Sequence, residues 1–367
     1  MRKLASIQKI LSISPIEGAD KIEKATVLGW ECVIAKKDNF KVGDLVVYIE
    51  VDSIVPEKPE FEFLRDRKFR VRTIRLKKQV SQGLVLPLSV LPDNKKYSED
   101  DDVTDILKIR KYDPEGDAEL KLQEERLKHS KNKLEKFLAK YKWYRKILSF
   151  FNPKKEKGFP KFIKKTDEDR IQLFPNIVNT EKDTVFSVTE KVDGCSATYF
   201  LVADKNWLGK KKYRFGVCSR NLYLKNPDNS SYWTVAKQYD IENILKKIIQ
   251  KNDFVAIQGE ILGSNIQGNK YKIINGYKLK CFNLIYPDKK VNSEEANLIL
   301  GSEGLEFVPI LDNNFKLKPS ISENVDYAKG KSVLADIQRE GVVVRNYEKG
   351  ISFKIINPEF LLKYNAD

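Results

Sequence analysis

The feature that most restricts this chain is a succession of short apolar runs, each closed by turn-forming residues, from Met1 to about Lys108. ATVLGWECVIA leads into a Lys-Val-Gly-Asp turn, LVVYIEVDSIV into a proline-rich bend, and FRVRTIRLK into GLVLPLSVL. Runs of this length and spacing read as strands and predict a small all-β barrel.

Basic and apolar residues alternate from Phe69 to Lys77. A period of two puts Phe69 and Val71 on one face and Arg70 and Arg72 on the other. If the barrel is of the OB type, Arg70, Arg72 and Arg75 form a candidate surface for an RNA backbone; a solvated outer face fits the pattern equally. Between about Pro114 and Pro160, Leu120, Leu127, Leu134 and Phe137 recur at helical intervals. This predicts a helical linker or insertion, whose aromatic and lysine-rich end suits packing between domains, RNA contact or a membrane surface. From Lys161 the texture is mixed. TVFSVTEKV, DFVAIQGEIL, YKLKCFNLIY, GVVVRNY and ISFKII read as strands, Val235 to Ile249 carries a helical stripe, and Asn292 is a helix cap with Glu295 three residues on. The expected fold is α+β: an OB-type barrel over 1–108, a helical insertion over 109–160, and an α+β domain of mainly antiparallel sheets over 161–367.

Charge narrows the partners. Lysine and arginine total 67 against 52 acidic residues, a formal charge of +15, and nucleic acid is the common polyanion for such a surface. Frequent lysine from an AT-rich coding sequence is the bland alternative. The one histidine, His129, lies in a charged helical stretch, which nearly excludes histidine bases and histidine metal sites. Cys32, Cys195, Cys218 and Cys281 show no metal-binding or disulfide spacing, and no apolar run is long enough to cross a bilayer. A soluble, monomeric protein of a reducing compartment, cytoplasmic or nuclear, is expected, with chemistry run on lysines, carboxylates and a free metal.

One strand-like run, FSVTEKVDGCSATYFLV, carries Lys191 between Glu190 and Asp193, with Gly194 after them. A K-x-D-G match is weak by itself in so lysine-rich a chain. Its company is more telling: Ser219-Arg220-Asn221, Gly259-Glu260-Ile261-Leu262-Gly263, Lys280-Cys281-Phe282-Asn283-Leu284, Arg339-Glu340-Gly341 and Ser352-Phe353-Lys354 follow in order, each placing charge in or beside a β-like run. In that order they resemble motifs I, Ia, III, IIIa, IV and V of the covalent nucleotidyltransferases. With the barrel ahead of them, and KTDEDRIQ at 165–172, the chain resembles the fifth RNA ligase family, ATP-dependent enzymes that seal 3'-OH/5'-phosphate nicks.

The chemistry accounts for the residue types. An attacking Lys191 must be the free amine, so its pKa has to fall from about 10.4 towards neutrality, a bias of about 4 to 5 kcal/mol. A neighbouring cation such as Lys354, and Mg²⁺ or Mn²⁺, would favour that form and neutralise the α-phosphate. The resemblance implies ATP as cosubstrate, Glu340 and Glu260 as metal or ribose ligands, Arg220 and Arg170 on phosphates, and Phe282 stacked on adenine. Glu190, Asp193 and Gly194 flank the nucleophile, the glycine letting the nucleotide approach and Glu190 or its backbone reading the adenine edge. Surface pairing for Arg220 and core packing for Phe282 are the ordinary alternatives. One position departs from the pattern: Ile356 stands where a second basic residue of motif V is usual, with Lys363 a candidate substitute. A capping guanylyltransferase or ATP-dependent DNA ligase is the rival enzyme, disfavoured because both normally carry a further OB domain after motif V. An RNA-binding protein with a degenerate transferase domain is the rival without chemistry.

Overall fold

Alternate burial of Trp30, Cys32 and Ile34 along a short strand shows the period-two pattern at work in a computed structural model that describes residues 3–92, 95–112, 158–205, 211–224 and 230–364. The helical insertion expected around Leu120, Leu127, His129, Leu134 and Phe137 lies outside the described residues. The N-terminal runs form β1 (Ala5–Pro15), β2 (Ile22–Val27), β3 (Trp30–Ala35), β4 (Leu45–Ile49), β5 (Ser53–Ile54), β6 (Arg70–Val71), β7 (Ile74–Leu76), β8 (Gln79–Ser81), β9 (Leu84–Leu86) and β10 (Arg110–Lys111).

The long β1 shifts register between Ile10 and Ser12, pairing β4 before that point and β2 after it. A bulge of this kind bends and twists a strand, and it lets β1 serve the barrel order β3-β2-β1-β4-β9. Ile7, Val47 and Ile49 fill one side of the interior with Phe61 and Phe69, while Ile10, Trp30 and Tyr48 fill the other.

The alternation expected from Phe69 to Lys77 does not persist. Phe69 and Val71 are in the core as expected, but Arg70 is buried as well, at 9 % exposure, and the run breaks into β6 and β7. Lys68 and Phe69 both have positive φ, near 53° and 56°, which removes the regular pleat just before Arg70. Burial of the guanidinium is offset by Asp52, 2.7 Å away, and by the Tyr112 ring beneath it.

After the barrel come α1 (Ile177–Thr180) and β11 (Phe186–Lys191), then β12 (Cys195–Lys205), β13 (Lys211–Cys218), β14 (Tyr223–Leu224), α2 (Ser231–Gln238) and α3 (Ile241–Ile248). Next are β15 (Phe254–Gly263), β16 (Tyr277–Tyr286), β17 (Lys289–Lys290), α4 (Ser293–Ser302) and β18 (Glu306–Phe307). The chain ends with β19 (Ile310–Phe315), α5 (Ile321–Ala328), β20 (Gly341–Asn346), β21 (Ile351–Ile356) and α6 (Pro358–Tyr364). Asn292 caps α4 as expected, accepting from the Glu295 amide at 2.9 Å. The stripe from Val235 to Ile249 is two helices rather than one, because Asp240 takes a left-handed φ of 49° and restarts the helix.

Two compact units result. The first holds Met1–Tyr112, Glu168–Lys191 and Ile310–Asp367, and the second Asp113–Asp167 and Val192–Pro309. In the first, beside the barrel, an antiparallel sheet runs β19-β11-β20-β21. One face buries Phe186, Val188, Val342, Val344, Phe353 and Ile355. Period two therefore sends Thr189, Lys191, Arg345 and Lys354 to the opposite face. The second unit is built on a sheet ordered β14-β13-β12-β15-β16-β17, antiparallel except that β18 adds to β16 in parallel.

Candidate active site

Strand register in the first unit brings together three of the residues singled out in the sequence. Lys191, the last residue of β11, is opposite Gly341, which is opposite Ile356; one pleat step back, Thr189 is opposite Val343, which is opposite Lys354. The two lysines thus share a sheet face. Glu340, immediately before β20, completes the cluster: its Oε2 accepts from Lys191 Nζ at 2.6 Å, with the side chains 26 % and 13 % exposed. The pair holds the Lys191 amine in place and points it at Glu340.

Close packing fixes the strand that follows Glu340. A Cβ on Gly341 would stand 2.2 Å from the Ile355 carbonyl oxygen, so no other residue permits this approach of β20 to β21. Asn357, fully buried, donates its backbone N–H to Glu340 O at 2.8 Å and its amide to Arg339 O at 3.0 Å. Its Oδ1 accepts from the Glu359 amide at the start of α6. Ile356 is 3 % exposed and packs on Phe360 and Leu361, so the position that lacks the second basic residue is part of a small apolar cluster. Lys363 is exposed, with its Nζ 5.2 Å from the Tyr364 ring centroid.

Glu190 faces the other way. Only 1 % exposed and on the core side of β11, its carboxylate accepts from Ser332 Oγ and, at 2.9 Å, from the Val333 amide. The side chain therefore anchors the 332–333 segment, and only its backbone belongs to the strand edge beside Lys191. Arg170 is paired through its backbone with Lys354, whose N–H donates to Asp169 O at 2.8 Å; its side chain is buried against Asp52. Arg75 pairs with Glu359 and is half-exposed; Arg72 is half-buried.

The second unit gathers the others. The Asp193 amide donates to Tyr271 Oη at 3.0 Å, the Asp193 carboxylate pairs with Lys270 at 2.6 Å, and the Gly194 amide donates to Glu260 Oε1 at 3.2 Å. A Cβ on Gly194 would lie 2.4 Å from Ile261 O, so the close approach that requires glycine here is to β15. Glu260 is opposite Lys280, which is buried and bonded to Glu306. On β16, Cys281 and Asn283 are opposite the consecutive residues Gly259 and Gln258, so Phe282 is the extra residue of a bulge. That bulge turns Phe282 out, half-exposed between buried neighbours, which periodicity alone does not reveal. Arg220 pairs with Asp167 at 2.6 Å.

Asp52, Ser332, Asn357, Lys270 and Tyr271 have no distinguishing signal in the sequence; each acts on a partner far along the chain. Among the described residues there is no group of three or more His, Cys, Asp or Glu that could hold a metal ion. Burial pushes the Cys218 and Cys281 thiols up to about 12, and Cys32 is raised as well, so these three are packing residues. No described helix is long and apolar enough to cross a membrane.

Comparison with known proteins gives the family. Residues 4–88 match an OB-fold domain family and residues 184–364 the RNA ligase family. Solved structures of Naegleria gruberi RNA ligase are similar over the whole length. An apo point mutant is 30 % identical with a TM-score of 0.79, covering 100 % of this chain and 99 % of that one. A mutant with ATP and Mn gives 30 % and 0.78, covering 99 % and 100 %, and a mutant with AMP and Mn gives 30 % and 0.78, covering 100 % of both. No curated protein sequence matches.

Proposed function

Because the chain belongs to the ATP-dependent RNA ligases that carry an N-terminal OB domain, we propose that it joins RNA 3'-OH and 5'-phosphate ends, at nicks in duplex or structured RNA, through a covalent Lys191–AMP. The observation that carries this reading is the Lys191–Glu340 pair, 2.6 Å long, on the sheet face that also bears Lys354.

In the first step Lys191 Nζ attacks the α-phosphorus of ATP; an N–P bond forms, the bond to the β-phosphate oxygen breaks, and pyrophosphate leaves. Glu340 is placed to take the proton that Nζ must lose. Lys354 neutralises charge developing on the phosphate and, as a second cation, favours the free amine at Lys191. An RNA 5'-phosphate oxygen then attacks the same phosphorus, displacing Lys191 and giving an adenylylated RNA end. Finally the 3'-OH attacks the RNA 5'-phosphorus and AMP leaves.

Mg²⁺ or Mn²⁺, held by the Glu340 carboxylate, would supply further neutralisation at the α-phosphate. Glu260 would bind the ribose hydroxyls or a metal-bound water, Phe282 would stack on adenine, and Arg220 would exchange Asp167 for a phosphate. Asp193 and Gly194 set the loop after the nucleophile. Residues 1–108 are the RNA clamp, with Arg72 and Arg75 its exposed or half-exposed cations, while Arg70 supports it from within; residues 161–367 are the transferase domain. Arg170, expected on the nucleotide phosphates, is buried against Asp52, which supports a different use for its side chain.

Incubation with labelled ATP, and separately GTP, in the presence of Mg²⁺ tests the reading. A covalent label from ATP that is lost in Lys191→Ala supports it. Label from GTP alone would indicate capping chemistry, and no label from either nucleotide would refute the enzyme.

A further inference from the structure

Resting on the reading that Lys191 is adenylylated, we propose that Asp52 and Arg170 are positioning residues that tie the barrel to the strand carrying Lys354. Asp52 occupies the turn between β4 and β5 with a left-handed φ of 64°. Its backbone is fixed there: the N–H donates to Val71 O at 2.8 Å and the carbonyl accepts from Tyr112 N at 2.7 Å. The carboxylate stands between two arginines distant in sequence. Arg70 Nη2 donates to Oδ1 at 2.7 Å and Arg170 Nη2 to Oδ2 at 3.1 Å.

Both arginines are buried, at 9 % and 6 % exposure, and each guanidinium lies near an aromatic ring, Arg70 at 3.6 Å from the Tyr112 centroid and Arg170 at 5.5 Å from that of Trp30. A buried guanidinium needs a paired carboxylate, and here that carboxylate belongs to the barrel. The Arg170 side chain is thereby pinned to two points of the barrel, Asp52 in the β4–β5 turn and Trp30 at the start of β3.

The backbone of the same residue reaches the catalytic strand. Arg170 bridges Lys354 in parallel, and Lys354 N–H donates to Asp169 O at 2.8 Å. Two residues on, Gln172 O accepts from Gly29 N–H at 2.9 Å, and a Cβ on Gly29 would lie 2.8 Å from Gln172 Cα. Segment 169–172 is thus clamped to the barrel by one side chain and one backbone contact while it forms the edge partner of β21 at Lys354. Loss of the Asp52 charge leaves Arg170 buried without its paired carboxylate in the barrel, and the segment that aligns Lys354 is held less firmly. Arg170 acts on Lys354 through the backbone, not on the nucleotide.

The test uses full-length Asp52→Asn and Asp52→Glu, measuring the rate of Lys191–AMP formation across a range of labelled ATP and Mg²⁺. Misalignment of a catalytic cation lowers the maximal rate without touching nucleotide affinity. Asp52→Asn should therefore fall about tenfold or more in maximal rate with the half-saturating ATP changed less than about twofold, and Asp52→Glu should recover most of the rate. An unchanged maximal rate in Asp52→Asn overturns the proposal. So does a raised half-saturating ATP at normal maximal rate, which would put Arg170 on the nucleotide, or a Glu variant no better than the Asn one. If Asp52→Asn lacks a cooperative melt, Arg170→Lys is measured with the same outcomes. Absence of label in the unmutated protein would refute the ligase reading instead.

Discussion

Two glycines of one hairpin should respond differently to alanine, because they are glycine for different reasons. Gly341 opens β20 opposite Lys191, and a Cβ there would stand 2.2 Å from Ile355 O and 3.0 Å from Ile356 Cα. Both are backbone atoms of a paired strand, so neither can swing aside. Restoring ordinary contact requires β21 to move from β20 by about 1 Å, which loosens the β20–β21 pairing that sets Val343 opposite Lys354. Overpacking of this kind costs about 1 to 3 kcal/mol. The larger effect should be catalytic: a shift of about 1 Å between Lys191 and Lys354 costs about a hundredfold in rate, or about 2.7 kcal/mol in the barrier. Gly350, at the turn of the same hairpin, has a φ of 66° and nothing within 4 Å of a built Cβ. Gly350→Ala therefore pays only the left-handed conformation, about 1 kcal/mol, and leaves Lys191 where it was. Single-turnover labelling with ATP, beside a urea unfolding curve for each variant, separates the two. Gly341→Ala labelling within about twofold of the unmutated rate, or Gly350→Ala slowing as much as Gly341→Ala, would refute the assignment of this strand pair as the frame of the nucleophile.

Asn357→Ala strips Arg339 O and the Glu359 amide of their partner, so unfolding should become easier by about 2 to 4 kcal/mol, with labelling slower because the backbone before Glu340 is released. A urea midpoint unchanged in that variant would contradict the clamp. Thiol alkylation of the native protein at pH 8 should modify Cys195 and spare Cys32, Cys218 and Cys281. Burial raises those three thiols, so they remain protonated until pH passes the raised value, and mass mapping of the modified residues checks it. Arg70→Ala should lower stability by about 1 to 3 kcal/mol, since its guanidinium is buried on Asp52. Arg75→Ala should instead weaken RNA binding and flatten its salt dependence by about one unit of slope, read from binding at several ionic strengths.

The sequence by itself determined the barrel, the antiparallel α+β texture and the identity of the charged residues that interrupt the strands. Those follow from local physics: period-two runs, turn residues and a charge placed where burial would otherwise exclude it. Lys191, Glu340 and Lys354 stand out in the sequence because each places charge in or beside a β-like run, where it is costly unless paired. What only the tertiary structure decided is which partner each charge has. Arg70 carries the alternating pattern of an outer face, yet two left-handed residues before it and an aspartate 18 positions upstream turn it inward. Glu190 and Lys191 are neighbours in sequence and lie on opposite faces of β11, one anchoring Ser332 and the other meeting Glu340. Phe282 emerges through a bulge that depends on register with β15, and Asp52 gains its importance from Arg170, 118 residues away. Pairing across such separations is set by strand register and packing, which sum over the whole chain, while the period of a run is set by its own few residues.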